Sequence, residues 1–166
     1  AEEAALCAEC VRFLRLVTAK DGDVRMIVTF QDGAEALLAI ASHALSAGSS
    51  GSASFLDLAA NACVCVLQLV GQGPVAQKYM REAGHLTALI RCLRGVLAAL
   101  GLSEANAWAE GLRNVATVLL ESLASFVSSK AGSEVQQNSK VLVQSAGLVE
   151  LVCLEVLPYP QFHQLR

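Results

Sequence analysis

The sequence predicts an all-α repeat protein, and three observations carry that expectation. First, a unit of helix, glycine, helix is written three times. Residues 77–93 read QKYMREAGHLTALIRCL, residues 27–38 read IVTFQDGAEALL and residues 141–152 read VLVQSAGLVELV. A supersecondary unit recurring along a chain signals an architecture in which each unit buries its apolar face against the next. Second, 54% of the 166 residues are hydrophobic while only 5% are aromatic. Alanine, leucine and valine carry that fraction, a mixture that suits close-packed helices better than a sheet. Third, apolar residues recur at helical spacing through most of the chain, and no segment reads as a strand.

Taken in order, residues 3–17 place Leu6, Cys10, Phe13, Leu14 and Val17 on one apolar stripe. Asp21, Gly22 and Asp23 break that helix with a turn and supply an N-cap. A short helix over 24–31 closes at Asp32 and Gly33, glycine being the residue that lets a chain leave one helix and swing into the next. The following helix, 34–45, is expected to bury Leu37, Leu38, Ile40 and Ala41. SAGSSGSAS at 46–54 is a flexible, low-complexity connection. Residues 55–70 form a long helix, apolar nearly all round through Ala59, Ala62, Cys63, Val66, Leu67 and Val70, which implies burial on several sides.

Gly71, Gln72, Gly73 and Pro74 end it, and Pro74 suits the first turn of the next short helix. The partner of that helix ends near Leu100. After an insertion at 101–106, a long helix over 104–128 carries Trp108, Leu112, Val115, Leu119, Leu123 and Phe126. A turn at 128–133 leads to the last glycine-jointed pair, which Pro158, Tyr159 and Pro160 stop.

A chain of this length forms one domain, residues 1–166, and buries about 70% of the surface its unfolded form exposes. Charged residues are only 16% of the total, a low share beside so much apolar surface. The ends or one face are therefore expected to be covered by neighbouring repeats or a partner, and the opening Ala-Glu-Glu fits a fragment of a longer array. Net charge is −3, with a pI near 5.6, so the basic stripe that nucleic acid demands is absent. Lys78, Arg81, Arg91 and Arg94 read as a solvated face. No apolar run approaches the roughly 18 residues of a membrane span, so none is expected, and no charged n-region with an apolar h-region opens the sequence, so no signal peptide is expected.

The six cysteines do not assemble a metal site on paper. Cys7 and Cys10 lack a second pair at zinc spacing, Cys63 and Cys65 point to different sides of a helix, Cys92 and Cys153 are alone, and His43, His85 and His163 supply no matching set. They read as buried, reduced, small hydrophobes in a cytoplasmic protein that holds no metal or cofactor. Catalysis wants a nucleophile with an oriented base. Cys7 with Glu9, and His85 beside Gly84, come nearest, and neither makes a catalytic constellation, so an enzyme is not expected.

Residues 59–93, AANACVCVLQLVGQGPVAQKYMREAGHLTALIRCL, place Ala-Ala, an apolar run, a Gly/Pro turn and Glu-Ala-Gly in an order that resembles the armadillo repeat family. The resemblance implies a right-handed α-solenoid of three-helix repeats with about eight helices. Residues 1–18 would be the trailing helix of a preceding repeat, 24–70 and 74–128 complete repeats, and 134–157 a partial one. The glycines at 33, 84 and 147 are spaced 51 and 63 apart, beyond the armadillo period of about 40–47, and the two insertions and the turn at 128–133 absorb the excess. HEAT-type helix pairs are the competing fold.

In armadillo proteins the long third helices line a concave groove, and nuclear-import adaptors hold peptides there with a ladder of Trp and Asn. Aligning the long helices at Val17, Val70 and Val127 puts the Trp positions at Val11, Val64 and Glu121 and the Asn positions at Arg15, Gln68 and Ser125. Only Gln68 keeps an amide to pair with a peptide backbone, and no aromatic ring remains to stack on a lysine stem. The import mode is therefore disfavoured. The resemblance implies a non-enzymatic scaffold or adaptor that binds a partner protein along these six positions, within a cytoskeletal, ciliary or trafficking assembly, microtubule or axonemal assemblies ranking first. A regulatory arm of a larger enzyme and a purely structural spacer are the alternatives.

Overall fold

The computed structural model describes residues 2–47, 53–101, 107–128, 132–145, 148–152 and 156. Residues 48–52 of the connection at 46–54, 102–106 of the insertion and 129–131 of the turn at 128–133 lie outside the described residues, as do Gly147, Cys153, the Pro158 stop and His163. Among the described residues there are nine helices and no strand. They are α1 (Glu2–Lys20), α2 (Gly22–Phe30), α3 (Gly33–Ala47), α4 (Ala53–Val70), α5 (Pro74–Glu82), α6 (His85–Gly101), α7 (Ala107–Val127), α8 (Gly132–Ser145) and α9 (Leu148–Leu151).

Helices of like length and position pack on one another. The long ones run α1 on α4 and α4 on α7, the short ones α2 on α5 and α5 on α8, and α3 lies on α6. Within each unit, α3 packs on α4 and α6 on α7. The core follows from this arrangement. Leu37, Leu38, Cys63, Val66, Leu69, Leu89, Leu93, Leu112, Leu119 and Phe126 are all buried.

α4 sits at the centre, which explains its apolar circumference. At 18 residues and a mean hydropathy of 1.8, with Asp57 its single charged residue, it is also long and apolar enough to cross a bilayer by length and composition, a run that the sequence expectation did not include. α5 and α6, bent by 80° at their joint, pass the same test together. Half of α4 is buried inside the fold, under α1, α3 and α7.

The two best-described units repeat with an offset of 52 residues, as Gly22 to Pro74 and Phe30 to Glu82 show for the short helices. Asp21 caps α2, its carboxylate accepting the N–H groups of Asp23 at 2.8 Å and Val24 at 3.1 Å. Its counterpart Gly73 has no side chain to do so and precedes Pro74, whose ring removes one of the donors that needs capping. Asp32 (φ 55°) and Gly84 (φ 82°) are likewise counterparts, and each makes the left-handed step between short and medium helix.

The expectation that Gly33 makes this step is therefore corrected. Gly33 is needed for space, because a Cβ there would meet the Val28 side chain and lie 2.6 Å from the Val28 carbonyl oxygen. Gly111 answers the same need between long helices, since a Cβ on it would lie 2.5 Å from a Leu56 methyl.

A helix leaves its last carbonyls without intrahelical partners. In each unit the fourth residue of the short helix reaches back to one of them. Arg25 donates to the Thr18 carbonyl at 2.6 Å, and Gln77 donates to the Val70 carbonyl at 3.3 Å and to that of Ser125 at 3.1 Å.

α1 departs from expectation. Of its apolar stripe, Leu6 and Phe13 are 67% and 69% exposed and Cys10 is exposed too, while the buried residues are Val11 and Thr18. α4 covers only the side of α1 that carries Ala8, Val11, Leu14 and Thr18.

Candidate functional site

The three long helices α1, α4 and α7 lie side by side and bring part of the expected groove together. Arg15 is exposed on α1, and its guanidinium donates to the Asn61 side-chain oxygen across the α1–α4 seam at 2.6 Å. One turn on, the Thr18 hydroxyl donates to the Gln68 side-chain oxygen at 2.6 Å. Val64 is half-buried between them on α4. On α7, Glu121 is exposed and Ser125 half-buried, the Ser125 hydroxyl donating to the Glu121 carbonyl at 2.9 Å.

Val11 does not belong to this surface. It is 4% exposed, and its carbonyl accepts the Cys65 thiol at 3.9 Å. The reason is register. Val70 corresponds to Thr18 through the captured carbonyls, one residue beyond the Val17 used for the alignment. Val64 and Gln68 then correspond to Arg12 and Leu16, both exposed.

Asn61 is the residue the sequence reading missed. It precedes Gln68 by seven positions, two helical turns, and so shares its face. That spacing of two amides in an apolar helix was the available signal. Its amide is committed at both ends, accepting from Arg15 and donating to the Asp57 carbonyl at 2.7 Å. The seam therefore offers a partner the remaining guanidinium donors of Arg15, the Gln68 amide and the Glu121 carboxylate, groups that make hydrogen bonds and ion pairs.

The residues considered for catalysis stand apart. Cys7 is half-buried, and Glu9 is exposed in an ion pair with Arg12. His85 is buried at the start of α6 with Nε2 3.6 Å from an Asp32 carboxylate oxygen that also accepts the Tyr79 hydroxyl at 2.7 Å, and its Nδ1 has no hydrogen-bond partner. The bond to Asp32 raises the Tyr79 pKa, since it favours the protonated phenol. Among the described residues no three His, Cys, Asp or Glu side chains gather as a metal site would require.

Of the basic group, Arg81 is not solvated as expected but buried against Glu134 and Asn138, and Lys78 lies 4.0 Å from Glu82. A groove of about 450 Å³ runs between α3 and α6, past Ser42, Leu45, Arg91, Cys92 and Ala98. A hydrogen bond with Cys92 and burial push the Cys63 thiol well up, while the same bond, with help from Ser42, draws the groove-lining Cys92 down. Comparison with family models, with curated proteins and with solved structures finds no match to this chain.

Proposed function

We propose that the chain is a right-handed α-solenoid segment of armadillo type, serving as a non-enzymatic scaffold that binds a partner protein along α1, α4 and α7. The observation that carries this reading is the 52-residue recurrence of short helix, left-handed joint and captured carbonyl, with long helix laid beside long helix. Stacked units of this kind present an extended ridge on which another protein's helix or strand can lie. The contact set is Arg15, Val64, Gln68, Glu121 and Ser125, joined by Asn61. The proposed setting is the cytoplasm, in a cytoskeletal or axonemal assembly.

Affinity capture from native extract tests the reading, with the parent chain compared against Arg15→Glu/Gln68→Ala/Ser125→Ala. Circular dichroism is used to confirm that the variant keeps its helices. A partner held by the parent and lost by the variant supports the ridge. A partner retained by both moves the contact to the outer helices, and recovery of none favours a spacer.

A further inference from the structure

The exposed side of α1 is patterned for self-association. Leu6, Cys10 and Phe13, all exposed, and half-buried Val17 follow one another at spacings of four, three and four, on a side of the helix about a third of a turn from the one that packs on α4. Glu3 and Lys20, both exposed, extend the same spacing at either end. Positions 3, 6, 10, 13, 17 and 20 thus make an unbroken a/d seam of coiled-coil type, acidic at its start and basic at its end. Leu16, 56% exposed, flanks the seam.

The seam matches its own reverse. Laid antiparallel on a second copy about a twofold axis between Val11 and Arg12, it sets Glu3 against Lys20, Leu6 against Val17 and Cys10 against Phe13. An isologous contact needs this self-complementarity, with residue i meeting j while j meets i. Each layer is sound by itself. The ends pair opposite charges, and a small thiol faces a large ring, which lets the two helices interdigitate. A parallel pairing would instead oppose Glu3 to Glu3, Lys20 to Lys20 and Phe13 to Phe13.

We infer that α1 docks a second copy of this chain through an antiparallel α1–α1 pair, with Phe13 at its centre and the Glu3–Lys20 ion pairs at its ends. This surface is independent of the Arg15–Gln68 seam. One rival occupant has support from the 52-residue register, in which Leu6, Cys10 and Phe13 correspond to Leu58, Ala62 and Cys65, all buried on α4. That occupant is the long helix of a further unit.

Sedimentation velocity of the chain over a concentration series into the hundred-micromolar range is the test. The expected result is a monomer–dimer equilibrium that Phe13→Asp abolishes with no fall in the melting temperature measured at dilutions where the parent is monomeric, because Phe13 makes little contact inside the fold. Glu3→Lys and Lys20→Glu should each weaken the dimer roughly tenfold, by replacing two attractions with two repulsions. Mixing the two variants should restore it, and so should combining both changes in one chain, which under a parallel pairing would oppose like charges again. The inference is overturned by a parent that stays monomeric throughout, by a dimer indifferent to Phe13→Asp, or by charge variants that do not rescue one another. A monomeric parent whose Cys10 is shielded from maleimide in native extract overturns it in favour of the further helical unit.

Discussion

The Arg81 guanidinium on α5 donates to the Asn138 side-chain oxygen on α8 at 2.7 Å, inside the protein and 57 residues along the chain. It also donates to Glu134 at 2.6 Å, and Asn138 passes the connection on to the Phe126 carbonyl near the end of α7 at 2.9 Å. One network therefore ties α8 to the unit before it, and Arg81, its side chain 6% exposed, is the hub.

Arg81→Met should cost about 3–5 kcal/mol in urea denaturation, because it strands the Glu134 carboxylate and the Asn138 amide where water reaches them poorly. Adding Glu134→Leu should recover part of that loss, since the stranded charge goes with it. Equal stability of the single and double variants would mean that the pair carries no buried charge.

Gln77→Ala should destabilise by roughly 1–3 kcal/mol, because the carbonyls of Val70 and Ser125 both lose a donor. The same change at Arg25, half-buried and serving chiefly Thr18, should cost less. Chemical denaturation of the two variants side by side gives the order.

The glycines at the two joints should respond differently to alanine. At Gly84 the penalty is the left-handed backbone alone, about 1–2 kcal/mol, since a Cβ there meets nothing within 4 Å. At Gly33 the new methyl meets the Val28 backbone carbonyl, which cannot turn aside as a side chain can. Gly33→Ala should therefore show the larger fall in melting temperature.

Burial pushes the Cys65 thiol from 9.0 up to about 11. Between those values the unfolded chain has released its proton while the native chain retains it, so stability falls as pH rises from about 9 to 11. A shift of two units corresponds to about 2–3 kcal/mol, fully lost above the upper value. Denaturation midpoints across that window should drop, and Cys65→Ala should make the drop shallower, Cys63 still contributing. At neutral pH, iodoacetamide should modify exposed Cys10 first and reach Cys63 and Cys65 only on unfolding.

The helices were legible because apolar periodicity and the Gly and Pro stops announce them, and every expected helix before residue 101 lies within about three residues of its place. Register was not, and one residue decides it. Aligning Gly33 with Gly84 is natural on paper, yet the left-handed residue of the first joint is Asp32, so the true counterpart of Gly33 is His85. A slip of one residue in the opposite direction, pairing Val17 with Val70 where Thr18 is the counterpart, put Val11 in the groove. Nor could α1 reveal which of its two apolar sides α4 would cover, because Val11 and Phe13 are equally hydrophobic choices until a neighbour is in place. The carbonyl captures by Arg25 and Gln77 belong to tertiary geometry, and polar residues in a short amphipathic helix give no warning of them.

The seams between long helices also set how the molecule would yield to force. Tension applied through α1 and α7 crosses the α1–α4 seam and then the α4–α7 seam, as load crosses the leaves of a spring. The first is stitched by two hydrogen bonds at 2.6 Å, which resist until they break. At the second, the methyl groups of Leu56 rest on the bare face of Gly111, and such a contact can slide with little change in energy. Slip there is confined to the starts of the two helices, because at their ends Gln77 holds the Val70 carbonyl of α4 and the Ser125 carbonyl of α7 together, so compliance is graded along the α4–α7 seam itself.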